Sequence, residues 1–188
     1  MDASGDTGGA SAQAALDALL GGAPAAGRWA LDPAASRVEF HVKHFWGVIT
    51  VHGSFSRVTG EGVVGADGTA TGRLTIDAAS LDTRNKARDK HLRSADFFDV
   101  ERHPEVVVAV TSAVVAGPAR LACRGTLEAA GRVRPLELTA HVDEVGAQAV
   151  TLRAELVVDR TEFSMTWSPL KMASHQARVT AVARFVRS

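Results

Sequence analysis

The chain has 188 residues, of which 46% are hydrophobic and 22% are charged, as expected for one globular domain large enough to enclose a cavity. Its formal net charge is zero, so there is no electrostatic basis for expecting a nucleic-acid partner. The single cysteine excludes an intramolecular disulfide, and no apolar run reaches the ~20 residues needed for a membrane span.

The first part of the chain, residues 1–27, is rich in glycine and alanine and predicts a disordered arm ahead of one folded domain over 28–188. Within this arm, residues 12–20 could form a short helix that is marginal in isolation. A secretory signal begins with a basic residue before an apolar stretch, whereas the first base here is Arg28. We therefore expect a cytoplasmic location.

From Arg28 onward, hydrophobic residues alternate with polar ones, which is the period of a half-buried β-strand. The first strand carries Val38, Phe40 and Val42 on its apolar face. Turn signals such as Ala116-Gly117-Pro118 separate the later strands. Seven further strands are predicted at residues 49–56, 73–77, 105–115, 119–128, 132–142, 148–158 and 176–186.

The densely charged segment DTRNKARDKHLRS, residues 82–94, lacks this alternation and predicts a short helix capped by Asp82 or Thr83. Asp89 and Asp96 are expected on its solvated face. Eight strands with turn-length links and one short helix predict an all-β fold. The expected architecture is one antiparallel sheet, either closed as an up-and-down barrel or strongly curved.

The stretch VEFHVKHF, residues 38–45, places two histidines three positions apart. Because successive side chains of a strand point to opposite faces, His41 is expected outside and His44 inside, on the face of Phe40 and Val42. Two imidazoles on opposite faces cannot share one metal ion, so no metal site is predicted. His44 is either a histidine bonded to a backbone carbonyl or a polar contact for a ligand head group.

Other reactive chemistry is sparse. Cys123 follows the apolar pattern of Leu121 and Leu127, which indicates a buried thiol rather than a nucleophile. The sequence contains no G-x-S-x-G, P-loop or G-x-G-x-x-G motif, so no catalytic residue and no enzymatic activity are predicted. Four further histidines are expected at the surface or in turns: His91, His103, His141 and His175.

The predicted inner face mixes large and small residues. An eight-stranded barrel is just wide enough either to be filled by side chains or to hold one slender ligand, and small residues favour the second outcome. The large residues are Phe40, Phe55, Leu74 and Phe185, and the small ones are Gly53, Ala70, Gly72, Ala154, Ala177, Ala181 and Ala183.

The stretch WALDPAASRVEFHVKHF, residues 29–45, resembles the opening of the YceI-like family. The resemblance continues in GSF (53–55), in GTLEAAGRVRPLELTAHV (125–142) and in VDRTEFSM (158–165). Its most specific part is IDAASLDTRNKARDKHLRSADFFDVERHPEV (76–106), where Ser-Leu-Asp-Thr, His-Leu-Arg-Ser and Asp-Phe-Phe-Asp occur in order.

This resemblance implies an extended, lipocalin-like, eight-stranded antiparallel barrel whose interior binds a polyisoprenoid or a similar long amphiphilic chain. Isoprenoid quinones and fatty-acid amides are ligands of the kind that the family holds, and pairing into homodimers is common. Two positions near a strand bend depart from the family pattern: Asp159 stands where Asn is usual, and Ser164 stands where Gly is usual. A loop over an opening is expected at 165–176.

The leading hypothesis is a non-enzymatic carrier or sequestering protein for an isoprenoid lipid, with no cofactor besides such a lipid or quinone. The alternatives are an enzyme acting on a lipid-like substrate with His44 as general base, and a stress or interaction module with a filled barrel. The predicted ligand contacts are Phe40, Val42, His44, Phe55, Leu74, Ile76, Leu92, Phe97, Phe98, Leu127, Phe163 and Phe185.

Overall fold

The computed structural model describes residues 26–44, 47–168 and 173–188, so the predicted arm helix and part of the predicted loop lie outside it. Within these residues there are eleven strands and one α-helix, α1 (Lys86–Arg93). The strands are β1 (Gly27–Leu31), β2 (Arg37–His44), β3 (Ile49–Phe55), β4 (Val58–Val64), β5 (Ala70–Asp77), β6 (Leu81–Asp82), β7 (Glu105–Val115), β8 (Arg120–Ala129), β9 (Arg132–Val145), β10 (Ala149–Asp159) and β11 (Ala173–Arg187).

The sheet closes on itself because the long strand β11 has partners along both edges. One edge pairs with β10, while the other pairs with β2 and, at its C-terminal end, with β1, where Leu31 lies opposite Phe185. The ring therefore runs β1-β4-β5-β7-β8-β9-β10-β11 and back to β1, and all of its pairings are antiparallel. This closed eight-stranded barrel confirms the predicted fold.

Three of the strands, β1, β4 and β6, were not predicted from the sequence pattern. In β4 the inward positions include Gly60 and Gly62, which contribute no hydrophobic side chain to an alternating pattern. A Cβ atom on Gly60 would lie 2.9 Å from the carbonyl oxygen of Arg73, so β5 approaches more closely than a side chain permits. Strand β6 has two residues and extends the sheet beyond the ring, after β2 and β3.

The N-terminus of α1 differs from the prediction. Asn85 caps the helix, its Oδ1 accepting a 3.1 Å hydrogen bond from the amide of Arg88, so the prediction of Asp82 or Thr83 was wrong. Asp82 instead accepts a 2.6 Å bond from the amide of Arg84 in the preceding turn. Several adjacent residues here have side chains able to cap, and tertiary contacts select among them.

The prediction that Asp89 lies on a solvated helix face is also wrong. It is 6% exposed and accepts hydrogen bonds from the amide and hydroxyl of Thr83. The carboxylate thus ties α1 to the segment that leads into it. Asp96, by contrast, is exposed as expected.

Two main groups of apolar side chains pack at the two ends of the barrel. One surrounds Phe55, Leu81 and Phe163, close to α1. The other surrounds Leu121, Cys123 and Ala140, on β8 and β9. No helix in the described ranges is long and apolar enough to cross a membrane.

Candidate ligand-binding site

The inner faces of the strands enclose a cavity of about 440 Å³. Every second residue faces it along β10 from Val150 to Val158 and along β11 from Ala177 to Phe185. Such a stretch of extended strand spans about 26 Å, so the cavity is elongated along the barrel. Its volume lies in the range of small-molecule sites. The cavity contradicts the alternative of a filled barrel.

The cavity stays open because small residues face one another across neighbouring strands. Ala154 of β10 lies opposite Ala181 of β11, and both line the cavity with Ala183. The mixed-size inner face is therefore confirmed, and Gly53 also faces inward, beneath the ring of Phe40 rather than in the cavity lining. A Cβ atom there would lie 2.4 Å from Cζ of Phe40, so Gly53 makes room for that ring.

All twelve residues predicted to contact a ligand line this cavity. Phe55 and Phe98 meet edge to face, with ring centroids 5.8 Å apart, beside Leu92 and Phe97 of the α1 region. The pattern of alternating residues thus located the inner wall. Contact between these residues and a ligand stays a prediction.

The two histidines of β2 are separated as strand geometry requires. His44 lines the cavity with Phe40 and Val42, whereas His41 is not among its lining residues and packs 5.6 Å from His52, ring to ring. Within the described ranges, no group of three or more His, Cys, Asp or Glu side chains is arranged to hold a metal ion.

One end of the cavity carries polar side chains that the sequence did not identify. Besides His44, they are Arg88, His91 and Arg160, which we call the polar end. His91 lines the cavity but keeps 33% of its side chain exposed, in line with the expected surface position; its Nε2 lies 3.0 Å from Oδ2 of Asp96, and its ring packs edge to face on Trp167 at 4.2 Å between centroids. Charged residues in a polar segment usually face solvent, so their inward orientation had no local signal.

Arg160 is the most buried member of the polar end, with 7% of the residue exposed. Its Nε donates to the carbonyl of Ser174 at 2.9 Å, and Nη1 donates to the carbonyls of Met165 and Trp167. Among the described residues, Nη2 has no hydrogen-bond partner. Hydrogen bonds from the guanidinium therefore connect the residues after β10 to the start of β11, and its Nη2 can still donate to a further acceptor.

Arg88 reaches the polar end from α1 in a defined orientation. Its Nε donates to the hydroxyl of Thr83 at 2.7 Å, and its Nη2 donates to the Thr83 carbonyl at 2.8 Å. The pKa of His44 lies below its usual range because of burial, and then because of the positive charges of Arg160 and Arg88. The polar end thus sets the imidazole of His44 beside two cations.

Cys123 is a buried thiol, as predicted. It lines the cavity within the second apolar group, and burial raises its pKa. The raised pKa lowers the fraction of the reactive thiolate at neutral pH.

The two departures from the family pattern preserve the bend after β10. Asp159 accepts hydrogen bonds from the amide and hydroxyl of Thr161, at 2.9 and 2.6 Å, and these bonds lower the Asp159 pKa. Ser164 adopts a left-handed backbone conformation with φ of 64°, which explains why glycine is usual at this position. Phe163 and Arg160, within the same turn, still line the cavity.

Comparison with known proteins gives a match to the YceI-like domain over residues 29–185. A UPF0312 protein of Ectopseudomonas mendocina (strain ymp) is 31% identical over 127 residues, which span 65% of this chain and 66% of the relative. A UPF0312 protein of Pectobacterium carotovorum subsp. carotovorum (strain PC1) is 29% identical over 157 residues, or 80% of each chain.

Two solved structures share the fold at lower sequence identity. BcnA of Burkholderia cenocepacia superposes with a TM-score of 0.74 and 19% identity, covering 82% of this chain and 98% of BcnA. A polyisoprenoid binding domain from Saccharophagus degradans, implicated in plant cell wall breakdown, gives a TM-score of 0.70 and 17% identity, covering 85% and 98%.

Proposed function

Because this chain belongs to the YceI-like family, we propose that it binds a long-chain lipid of the isoprenoid type inside its barrel. The observation that carries the proposal is the elongated cavity of about 440 Å³, lined mainly by apolar side chains apart from Thr71 and Arg73 on β5, and polar at one end. This is the shape and polarity of an amphiphile with one long tail. The polyisoprenoid binding domain of similar fold supports the same class of ligand.

The dimensions of the wall set the length of tail that fits. An extended chain advances roughly 1.1–1.2 Å per bond, and an isoprene unit adds about four bonds. The wall of about 26 Å therefore suits roughly five or six units in extended form. Each Å² of apolar surface buried contributes about 25 cal/mol, so the tail supplies most of the binding free energy.

We assign the protein a carrier or sequestering role in the cytoplasm rather than a catalytic one. The enzyme alternative needs His44 to be oriented by a partner such as a carboxylate. No carboxylate lines the cavity among the described residues, and the positive charges of Arg160 and Arg88 lower the pKa of His44. No observation in this part of the chain favours turnover.

Native mass spectrometry of protein expressed in bacteria tests the proposal directly. We expect a population with extra mass that dissociates as lipid and is identified after organic extraction. Delipidated protein should then take up farnesol or a longer prenyl alcohol in a saturable manner. Protein that carries no added mass and takes up no prenyl lipid contradicts the proposal.

A further inference from the structure

We infer that the polar end is an anion-binding subsite, in which Arg160, Arg88 and His44 receive a phosphate or carboxylate head group. The inference rests on the proposed function, because it names the head group of the same lipid. It distinguishes an acidic lipid from a neutral one with the same tail.

The first argument is the buried charge of Arg160. Removing a guanidinium from water is unfavourable unless a counter-charge and a full set of acceptors offset the loss. Three neutral carbonyls accept from its Nε and Nη1, and no ion pair joins it to a carboxylate within the described ranges. The neighbouring acid, Asp159, accepts its hydrogen bonds from Thr161 instead. Asp159 therefore acts on the Arg160 charge only through space, and no carboxylate lines the cavity beside it within the described ranges.

The second argument is the donor that remains on Arg160. Nη2 is buried and lacks a hydrogen-bond partner among the described residues, and it belongs to a residue that lines the cavity. A buried donor that finds no acceptor costs free energy, and an anionic oxygen at this position would supply both the acceptor and the counter-charge.

The third argument is that a second cation is oriented toward the same end. Thr83 accepts from Nε of Arg88 and in turn donates to the buried carboxylate of Asp89. Asp89 lies outside the cavity lining, so it orients Arg88 through Thr83 rather than occupying the subsite. A guanidinium group can donate two parallel hydrogen bonds to a pair of oxygens of a phosphate or a carboxylate, and two such groups lie beside one apolar channel.

The surroundings of the subsite strengthen this preference. Phe97 lies beside Arg160, with the guanidinium carbon 6.0 Å from the ring centroid, and Trp167 and His91 pack next to it. Arg160 itself is buried, with 7% of the residue exposed, so an ion pair formed at its guanidinium is stronger than one in water. A neutral head group offers acceptors but no charge to balance the arginines.

Matched ligand pairs test the inference with the delipidated full-length protein. Oleate is compared with oleamide, and farnesyl phosphate with farnesol, so each pair differs only in the head group. We expect the anionic member to bind roughly tenfold to a hundredfold more tightly, as for hydrogen bonds to charged groups. The pair with the larger ratio of affinities shows whether the subsite prefers a phosphate or a carboxylate head group.

Variants test whether the two arginines cause the preference for an anionic head group. We expect Arg88→Gln and Arg160→Gln each to reduce the ratio of affinities between the anionic and the neutral member of a pair. Arg178→Gln is the matched control, because Arg178 lies on β11, is exposed and pairs with Glu155 outside the cavity. Arg160 also holds three carbonyls, so Arg88→Gln decides the outcome if Arg160→Gln does not fold.

The outcomes separate this inference from the proposed function. Equal affinities within both pairs overturn the anion subsite and leave lipid binding intact. A preference that survives in Arg88→Gln, and in Arg160→Gln where it folds, overturns the assignment to these arginines. Failure of all four ligands to bind overturns the proposed function itself.

Discussion

The hydroxyl of Thr83 donates a 2.5 Å hydrogen bond to Oδ1 of Asp89, and the Thr83 amide donates a second bond of 2.9 Å to the same oxygen. Both residues are buried. Because the hydroxyl also accepts from Arg88, this pair connects the stability of the α1 segment to the position of a cavity cation.

Replacing Asp89 by alanine should destabilise the protein. The change leaves the Thr83 amide and hydroxyl buried without their acceptor, which lowers the free energy of unfolding by about 3 kcal/mol. Urea denaturation measures the loss. Glu137→Ala is the control, because Glu137 is 76% exposed in its side chain and pairs with exposed Arg124; its effect should stay within about 0.5 kcal/mol. Similar effects for the two variants would contradict this account of Asp89.

Replacing Ala154 by phenylalanine should block the cavity. Ala154 lies opposite Ala181 in the inner wall, so a ring there excludes part of the tail. Each methylene group that loses its buried contact costs about 0.8 kcal/mol, and a few such groups weaken prenyl-lipid binding by roughly tenfold or more. The control variant Glu155→Phe places the same ring on the outward face of the strand. It should bind prenyl lipid with the affinity of the unmodified protein. Unchanged affinity in Ala154→Phe would show that the tail lies elsewhere.

The stability of the protein should fall as pH decreases through the range in which His44 titrates. Burial and two cations lower the folded-state pKa of His44, so the unfolded chain takes up its proton first. The contribution of His44 is therefore complete above about pH 6.5, the usual histidine value, and is lost as pH falls toward the folded-state pKa. Urea denaturation at several pH values should show a smaller acid loss in His44→Gln. Parallel pH profiles would contradict the prediction.

Replacing Ser164 by glycine should stabilise the bend after β10. The left-handed φ of 64° is unfavourable for a residue with a Cβ atom and allowed for glycine. The gain should be about 0.5–1 kcal/mol in the free energy of unfolding, after loss of the exposed 3.1 Å bond from Arg132 to the Ser164 hydroxyl. Ser164→Ala removes the same hydroxyl but retains the strain, and it should be less stable than Ser164→Gly. The opposite order would refute the strain argument.

The thiol of Cys123 should be unreactive in the folded protein. It is buried, and its raised pKa leaves little thiolate at neutral pH. A thiol-specific disulfide reagent should label it only in urea, at the concentration where the protein unfolds. Ser188→Cys adds a thiol at an exposed position and should react at once under native conditions. Rapid labelling of Cys123 in the native protein would place the thiol within reach of solvent.

Much of the barrel could be predicted from local patterns. The alternation in β2 and β11 assigned residues to inner and outer faces, and this was enough to separate His41 from His44. A two-residue period depends only on the pleat of a strand, so it is visible without knowledge of the partner strands. Strand β4 was missed because Gly60 and Gly62 contribute no side chain to the period.

The polar end could not be predicted in the same way. Arg88 and Arg160 lie on separate elements, and each occurs in a polar stretch whose ordinary position is at the surface. Asp89 was likewise expected in solvent, although a bond to Thr83 holds it inside. Local periodicity does not report contacts between distant segments.

The alternation in the sequence by itself determined that this protein is an antiparallel β-sheet protein, a barrel or a strongly curved sheet, with a mixed-size apolar inner face, since strand alternation is local. Tertiary structure decided that the inner face encloses an open cavity and that one end of it is cationic. Closure of the ring places Ala154 opposite Ala181 and so leaves the space unfilled, and it also brings Arg160 and Arg88 to the end marked by His44. Both outcomes depend on distances across the barrel, which no single strand encodes.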